Sequence, residues 1–293
     1  MNLQNLKIYL LILTICAALS SCSDKRHEET ATSSSRLEVT AGIPPLETMV
    51  KEIGGDSVNV TCLMGAGTDP ESFDPGASAL RSAAESRIYF AIGSLPFEEQ
   101  LTKGLKENNR QIDIVNLAGE VDLIYGTHGE DADPHIWLSV RNARNMAKKI
   151  FDALSEARPS ARGYFENRLR IMEGRLDSLD NAFSQALAPR HGGTFIIGHP
   201  SLTYMARDYG LRQIALTPGH KENSALSMRQ RLDDATASSP LAIFTQPGPD
   251  GRMTAEAAER LGIPATPIDP MSPDWEKQLS SVVAALSLPN KNL

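Results

Sequence analysis

Residues 159–189, PSARGYFENRLRIMEGRLDSLDNAFSQALAP, form one continuous helical pattern between two prolines. Apolar side chains recur at steps of three or four residues, and this stripe consists of Phe165, Leu169, Met172, Leu176, Leu179, Phe183 and Leu187. The spacing predicts a single helix of about 42 Å with one apolar face. We expect this helix to pack against both halves of the protein. A coiled-coil arm for dimerisation is the alternative interpretation.

On either side of this helix, short β-branched runs alternate with shorter helical patterns. The runs before it predict strands over 37–40, 58–63, 88–92 and 112–117, and helices over 45–53, 77–86, 96–108 and 140–157. The runs after it predict strands over 194–197, 213–216, 241–245 and 265–268, and helices over 204–209, 224–237 and 255–261. Such alternation indicates parallel βαβ units. The predicted fold class is therefore α/β, with two lobes that each contain a four-stranded mainly parallel sheet flanked by helices, joined by one long backbone α-helix.

The N-terminus has the features of a bacterial export signal. Lys7 precedes an apolar run from Ile8 to Leu19, which is too short to span a bilayer. The run ends in Leu19-Ser20-Ser21-Cys22, which resembles a lipobox. We therefore expect lipid attachment at Cys22, which would anchor the exported protein to a bacterial membrane on the periplasmic side or at the cell surface. A plain secretory signal is the alternative.

The chain thus divides into five predicted segments. They are a lipoprotein signal peptide over 1–21, a polar flexible tether over 22–36, an N-terminal lobe over 37–158, the linking helix over 159–189 and a C-terminal lobe over 190–288.

The net charge of −7 disfavours nucleic acid as a partner, because phosphate binding needs a basic face. Of the three cysteines, Cys16 lies in the signal and Cys22 would carry lipid, so Cys62 has no partner for an internal disulfide.

Four side chains that can bind metals stand where predicted strands end. Glu71 follows the second strand, His135 lies in the loop after the fourth, His199 follows the fifth and Asp269 follows the eighth. Ligands of open α/β sheets gather beyond the carboxyl ends of the strands. Two imidazoles and two carboxylates are donors that a first-row divalent cation accepts. Each residue alone has a plainer explanation as a loop or turn residue, and their joint placement is what predicts a metal site.

Three motifs occur in a fixed order along the chain: DPESFDP at 69–75, DPHIWL at 133–138 and HPSLTYMARDYGL at 199–211. With these motifs, the lipobox and the long helix, the chain resembles the solute-binding receptors of zinc/manganese ABC importers over residues 37–288. The resemblance implies two lobes joined by a rigid helix, with one divalent metal bound between them and no enzymatic activity. It also implies a membrane permease of an ABC importer as the partner. We expect the protein to be a monomer.

The resemblance assigns candidate ligands and also shows departures from the family pattern. His135 and His199 match the second and third ligand positions, and Asp269 matches an aspartate found in some members. Glu71 stands where the family usually has histidine, which replaces a nitrogen donor with an oxygen donor. Two further departures are Asp74 and Gln246, both at positions where glutamate is common, and we do not expect Gln246 to be a ligand.

The identity of the metal and the class of function leave alternatives open. Zinc is the first choice because it binds nitrogen and oxygen donors more tightly than manganese does, while the oxygen donors keep Mn²⁺ and Fe²⁺ open. A lipid-anchored metallohydrolase could use the same four groups with water in an open position. A receptor for a chelate or siderophore would need aromatic walls, and aromatic residues make up only 5% of the chain. Adhesion or scaffolding leaves no sequence signature.

Overall fold

The first of two parallel sheets is built from the N-terminal half of the chain. The computed structural model describes residues 36–65, 67–126, 131–217, 225–248 and 251–288, without side-chain detail for 225–228. The strands are β1 (Leu37–Ala41), β2 (Val58–Cys62), β3 (Ile88–Ala91) and β4 (Asp113–Asn116), in the order β2-β1-β3-β4. The helices are α1 (Pro44–Gly54), α2 (Ala77–Ala84), α3 (Pro96–Asn108) and α4 (Val140–Ala157). These elements form the first lobe.

The second sheet repeats the same topology in the C-terminal half. Its strands are β5 (Thr194–Ile197), β6 (Arg212–Ala215), β7 (Ile243–Thr245) and β8 (Ala265–Pro267), in the order β6-β5-β7-β8. Every strand pair in both sheets is parallel. The helices are α6 (Thr203–Asp208), α7 (Ala225–Ala237), α8 (Gly251–Leu261) and α9 (Trp275–Ser287). These elements form the second lobe, and the predicted fold class is confirmed.

The central strands explain why the sequence folds into parallel sheets. All four residues of β3 and all four of β5 are buried. Continuous apolar burial of this kind is typical of strands covered by helices on both faces. The edge strand β2 instead alternates between exposed positions and positions that are buried or half-buried.

The helix predicted between the lobes is α5 (Arg162–Leu187), with a short 3₁₀ turn at each end, Pro159–Ala161 and Ala188–Arg190. Its 26 residues correspond to about 39 Å. Six of the seven stripe residues are buried, and Leu179 packs half-buried against the same core. The stripe is therefore covered within the chain, and the alternative of a coiled-coil arm is wrong.

The two lobes and α5 share one apolar core. The same buried cluster contains Val39 of β1, Phe165 of α5, Phe195 of β5 and Trp275 of α9. The guanidinium of Arg175 on α5 also pairs with Glu52 of α1 and Glu276 of α9, which connects the helix to both lobes. A smaller second cluster lies within the second lobe, where α7 and α8 cover its sheet.

The structure differs from the predicted elements mainly at the C-terminus. Helix α9 is not among them, and α8 begins four residues earlier than predicted. Within the described ranges, none of the helices combines the length and apolarity needed to span a bilayer. The predicted signal peptide, Cys22 and nearly all of the tether lie outside the described residues.

Candidate metal centre

Three of the four predicted ligands converge at the carboxyl ends of the sheets. Glu71, His135 and His199 each offer one ligand atom, and these atoms all lie within 4.8 Å of one another. The His199 Nε2 atom is 3.0 Å from Glu71 Oε1, and the two imidazole rings are 5.1 Å apart between centroids. Because Glu71 and His135 belong to the first lobe and His199 to the second, the cluster spans the cleft between the lobes.

Glu71 lies in the loop between β2 and α2, and two contacts shape this loop. The Asp69 carboxylate accepts hydrogen bonds from the Glu71 backbone N–H at 3.0 Å and from the Ser72 hydroxyl at 2.8 Å, which is typical of an Asx turn. The ring of Phe73 packs edge-on against Phe97 of α3, with centroids 5.0 Å apart. These contacts hold the Glu71 backbone in place, and the Glu71 side chain is 13% exposed.

His135 is positioned by the start of helix α4. It precedes a short 3₁₀ turn, Ile136–Leu138, which leads directly to Ser139. The Ser139 hydroxyl accepts a hydrogen bond from the Asn142 backbone N–H and so caps the N-terminus of α4. The His135 side chain is 4% exposed, compared with 23% for His199. The cluster is thus partly open on the side of the second lobe.

The Nδ1 atom of the His135 ring contacts Asp133. The Asp133 Oδ1 atom lies 2.8 Å from His135 Nδ1 and also accepts a hydrogen bond from the His135 backbone N–H at 2.9 Å. Burial opposes ionisation of Asp133, but these bonds outweigh it and lower the pKa of the carboxyl below its usual value. Since Nδ1 is engaged by the carboxylate, Nε2 is the ring nitrogen left for a ligand.

His199 follows β5 directly, and its backbone is held by Gln246 from the end of β7. The Gln246 amide oxygen accepts a hydrogen bond from the His199 backbone N–H at 2.9 Å. The Gln246 amide nitrogen donates to the Ser201 hydroxyl at 2.7 Å. Gln246 therefore acts on the backbone of the loop that carries His199.

Asp269 is outside the group of three converging ligands. Its carboxylate accepts a hydrogen bond from the Met271 backbone N–H at 3.0 Å, and its own N–H donates to Gln278 of α9. Asp269 and Gln246 line a common pocket of about 370 Å³ at the ends of β7 and β8. The structure thus places Asp269 in a loop beside the residues that support His199.

The arrangement offers two imidazole nitrogens and one carboxylate oxygen from both sides of a cleft. This donor set suits zinc and also accommodates other first-row divalent ions. Sequence reasoning missed the supporting roles of Asp133 and Tyr204, whose hydroxyl donates to the Asp133 carbonyl at 2.7 Å. Asp133 lies in the second motif and Tyr204 in the third, so the sequence already singled out both segments. The contact between the two residues depends on how the lobes pack together, which the sequence does not give.

Comparison with known proteins gives the family. Residues 39–286 match the family described as zinc-uptake complex component A, periplasmic (ZnuA). The zinc-binding lipoprotein AdcA of Streptococcus pneumoniae (strain ATCC BAA-255 / R6) is 25% identical over 304 residues, covering 98% of this chain and 60% of AdcA. A putative metal-binding protein of Treponema pallidum (strain Nichols) is 24% identical over 248 residues, covering 79% of this chain and 78% of that protein.

Solved structures show the same fold. A crystal structure of ZnuA superposes with a TM-score of 0.79 at 29% identity and covers 86% of this chain and 98% of its own. Zn(II)-bound AdcA from Streptococcus pneumoniae gives a TM-score of 0.72 at 22% identity, with 87% of this chain and 59% of that chain covered, and this supports the fold alone. Proteins of the ZnuA family are substrate-binding receptors and not enzymes, in agreement with the predicted lack of enzymatic activity and against the metallohydrolase alternative. The match over most of its length shows that the chain belongs to the ZnuA family of metal-binding solute-binding proteins of ABC importers.

Proposed function

We propose that this protein is a lipid-anchored receptor that captures one divalent transition metal, with zinc as the first choice, and delivers it to the membrane permease of an ABC importer. The observation that carries the proposal is the convergence of Glu71, His135 and His199 from both lobes on one point. Their nitrogen and oxygen donors match the preferences of zinc. A site between two lobes also leaves the metal accessible from the cleft, since the His199 side chain is partly exposed.

Asp269 is the proposed fourth ligand. It lies at the carboxyl end of β8, in the same lobe as His199, and lines a pocket together with Gln246. Its carboxylate accepts a hydrogen bond from the Met271 backbone N–H of the same loop. A local shift of this loop would add a second carboxylate and complete the four donors typical of a zinc site.

Native mass spectrometry tests the proposal directly. With equimolar zinc, the wild-type protein should carry one zinc ion per chain, because one set of converging ligands is found among the residues that the structure describes. His135→Ala and His199→Ala should each lose this zinc-bound species while keeping the melting temperature of the metal-free protein within a few degrees. The matched control is His191→Ala, which removes an exposed histidine outside the cluster. A wild-type protein that binds no divalent ion would overturn the proposal.

Manganese or ferrous iron is the second candidate cargo, and the observation that favours it is the Glu71 carboxylate. An oxygen donor in place of an imidazole nitrogen weakens the preference for zinc and suits harder ions. Zinc remains first because the affinity order of divalent ions places it above manganese and iron for such sites. The curated relative AdcA is named as zinc-binding, which supports the same choice.

The membrane anchor is proposed from the sequence of the N-terminus. Cys22 would carry the lipid after removal of residues 1–21, and residues 22–36 would tether the folded lobes to the membrane. Cys22→Ser should move the protein from the membrane fraction to the soluble fraction of the cell envelope, whereas Cys62→Ser should leave it in the membrane fraction. Retention of Cys22→Ser in the membrane would contradict the anchor.

A further inference from the structure

Asp133 contacts His135 through both its ring and its backbone. The carboxylate oxygen Oδ1 lies 2.8 Å from His135 Nδ1 and 2.9 Å from the His135 backbone nitrogen. The turn at Pro134 allows this double contact because it folds the Asp133 side chain back over the residue two positions ahead. The Asp133 side chain is only 16% exposed, so water competes weakly for the contact.

The second lobe holds Asp133 from the opposite side. The hydroxyl of Tyr204, a fully buried residue of α6, donates a hydrogen bond to the Asp133 carbonyl at 2.7 Å. The same hydroxyl accepts a bond from the Ile124 backbone N–H at 3.3 Å, and the Asp133 N–H donates to the Ile124 carbonyl at 2.8 Å. One tyrosine of the second lobe therefore ties together both ends of the first-lobe segment that leads to His135.

The chemistry of a carboxylate determines what this contact does to the imidazole. An ionised carboxylate can only accept hydrogen bonds, so the ring nitrogen facing it must carry the proton. The other nitrogen then presents its lone pair, which is the form that binds a metal. The same oxygen, Asp133 Oδ1, also accepts the hydrogen bond from the His135 backbone N–H at 2.9 Å, so this atom is held as an acceptor beside the ring nitrogen.

We propose that Asp133 is the positioning residue for the metal ligand His135. It fixes the tautomer in which Nδ1 carries the proton and Nε2 faces the metal. Tyr204 of the second lobe holds Asp133 in the position that this requires. The inference rests on the proposed metal site. One short segment of the second lobe then has two effects on the site. It supplies His199 as a ligand, and five residues later it supplies Tyr204, which stabilises the orientation of the ligand in the other lobe.

The tautomer can be measured without any metal. Long-range ¹H–¹⁵N correlation spectra of the metal-free protein with labelled histidine distinguish a proton on Nδ1 from one on Nε2, and His135→Gln identifies the His135 signals. The wild type should show the proton on Nδ1. Asp133→Ala should lose this preference, and Asp133→Asn should partly restore it because the amide oxygen can accept the same bond. A wild-type His135 with its proton on Nε2 would overturn the proposal, even if the variants fail to fold.

Zinc affinity gives the second readout. Asp133→Ala should bind zinc about 10- to 100-fold more weakly, which is the usual effect of losing a group that orients a metal ligand. Asp133→Asn and Tyr204→Phe should show smaller losses, in the lower part of that range. The matched control Asp152→Ala, an exposed aspartate on α4, should bind zinc as the wild type does. Unchanged affinity in Asp133→Ala would reject the positioning role.

The two measurements separate the inference from the proposed function. If the wild type shows the Nδ1 proton but binds no divalent ion, the metal receptor is rejected and control of the tautomer by Asp133 is supported. If the wild type binds zinc tightly but Asp133→Ala changes neither the tautomer nor the affinity, the receptor is supported and the positioning role is rejected.

Discussion

Glu71 distinguishes the proposed site from one made of three histidines. Its carboxylate oxygen lies 3.0 Å from His199 Nε2, in a loop shaped by Asp69 and by the Phe73–Phe97 contact. An oxygen donor at this position lowers the preference for zinc over manganese, because softer nitrogen donors favour zinc more strongly. In the proposed site, the choice of metal therefore depends on the Glu71 side chain more than on the fold.

Glu71→His should increase the ratio of zinc to manganese affinity by about tenfold, equivalent to roughly 1.4 kcal/mol. Competitive titration of the purified protein with both ions against a chelating dye measures this ratio. Glu85→His is the matched control, since it adds a histidine at an exposed position of the same lobe and should leave the ratio unchanged. An unaltered ratio in Glu71→His would show that Glu71 does not bind the metal.

A second carboxylate of the first lobe, Glu98, is buried and serves the backbone. Its two oxygens accept hydrogen bonds from the N–H groups of Ile92, Gly93 and Leu95 at 2.8, 2.6 and 3.3 Å. Gly93 has a φ of +97°, and a Cβ there would lie 1.9 Å from the Asn116 amide oxygen, so only glycine fits this turn. Burial raises the pKa of Glu98, although the three backbone bonds oppose the shift.

Glu98→Gln should lower the free energy of unfolding by about 1–3 kcal/mol, because the amide nitrogen cannot accept the bonds that one carboxylate oxygen accepts. The pH dependence has a definite sign. A carboxyl whose pKa is raised in the folded state holds more protons there, so its contribution to stability decreases as pH rises through the folded pKa. Urea unfolding, measured over the pH range in which the Glu98 carboxyl loses its proton, should show this decrease in stability for the wild type and not for Glu98→Gln. If the stability of both proteins depends on pH in the same way, the raised pKa does not belong to Glu98.

Residue types and their place after strands were enough to single out Glu71, His135 and His199 as candidates. The bond between Asp133 and His135 was not predicted, because it depends on the turn at Pro134 and on the hydroxyl of Tyr204 from the other lobe. The position of Asp269 also depends on tertiary structure, since Gln278 of the unpredicted helix α9 binds its backbone.

Among the elements, α5 gave the clearest pattern in the sequence. Its apolar stripe of seven residues spans about six turns, and the flanking prolines mark both ends because proline lacks the N–H that a helix interior requires. Burial of the stripe in the shared core makes α5 part of both lobes at once. The helix therefore contributes to stability through packing along one face.

Leu176→Ala should lower the free energy of unfolding by about 2–5 kcal/mol, because the fully buried side chain leaves a cavity in the shared core. Ile171→Ala on the same helix is the control, since Ile171 is 55% exposed and its loss should change stability by no more than about 0.5 kcal/mol. Denaturant unfolding monitored by circular dichroism measures both. Equal effects for the two variants would contradict the predicted orientation of α5.

Helix α9 was not predicted, because its local sequence gives conflicting signals. Its buried positions Leu279, Val282, Val283 and Leu286 have a spacing typical of one helical face. Two prolines shortly before it, Pro270 and Pro273, interrupt the pattern and favour a loop. The N-terminal part of α9 is fixed by tertiary contacts, among them the pairing of Glu276 with Arg175 of α5.

At the scale of the whole molecule, several contacts between the lobes oppose a change in their relative position. Besides the shared core, the Trp137 indole N–H donates to the Pro270 carbonyl at 2.8 Å, and the Ser139 hydroxyl donates to the Asp208 carboxylate. Both bonds cross between the lobes close to His135. A wide hinge motion would have to break these bonds and open an apolar core, which is costly.

Crystal structures with and without zinc should therefore superpose lobe on lobe, with differences confined to the loops that carry Glu71, His199 and Asp269. Metal uptake and release would then proceed by local loop shifts. Hydrogen exchange provides an independent check, because the metal should protect these loops while leaving exchange in α5 unchanged. A rigid-body rotation of one lobe against the other on zinc binding would contradict this account.

Anomalous diffraction from crystals grown with zinc tests whether the metal binds between the lobes. We expect one strong anomalous peak between the lobes, at about 2.0–2.2 Å from a nitrogen of His135, a nitrogen of His199 and an oxygen of Glu71. The His135 donor should be Nε2, since Nδ1 faces Asp133. A peak bound by residues of one lobe only, or no peak at these three side chains, would contradict it.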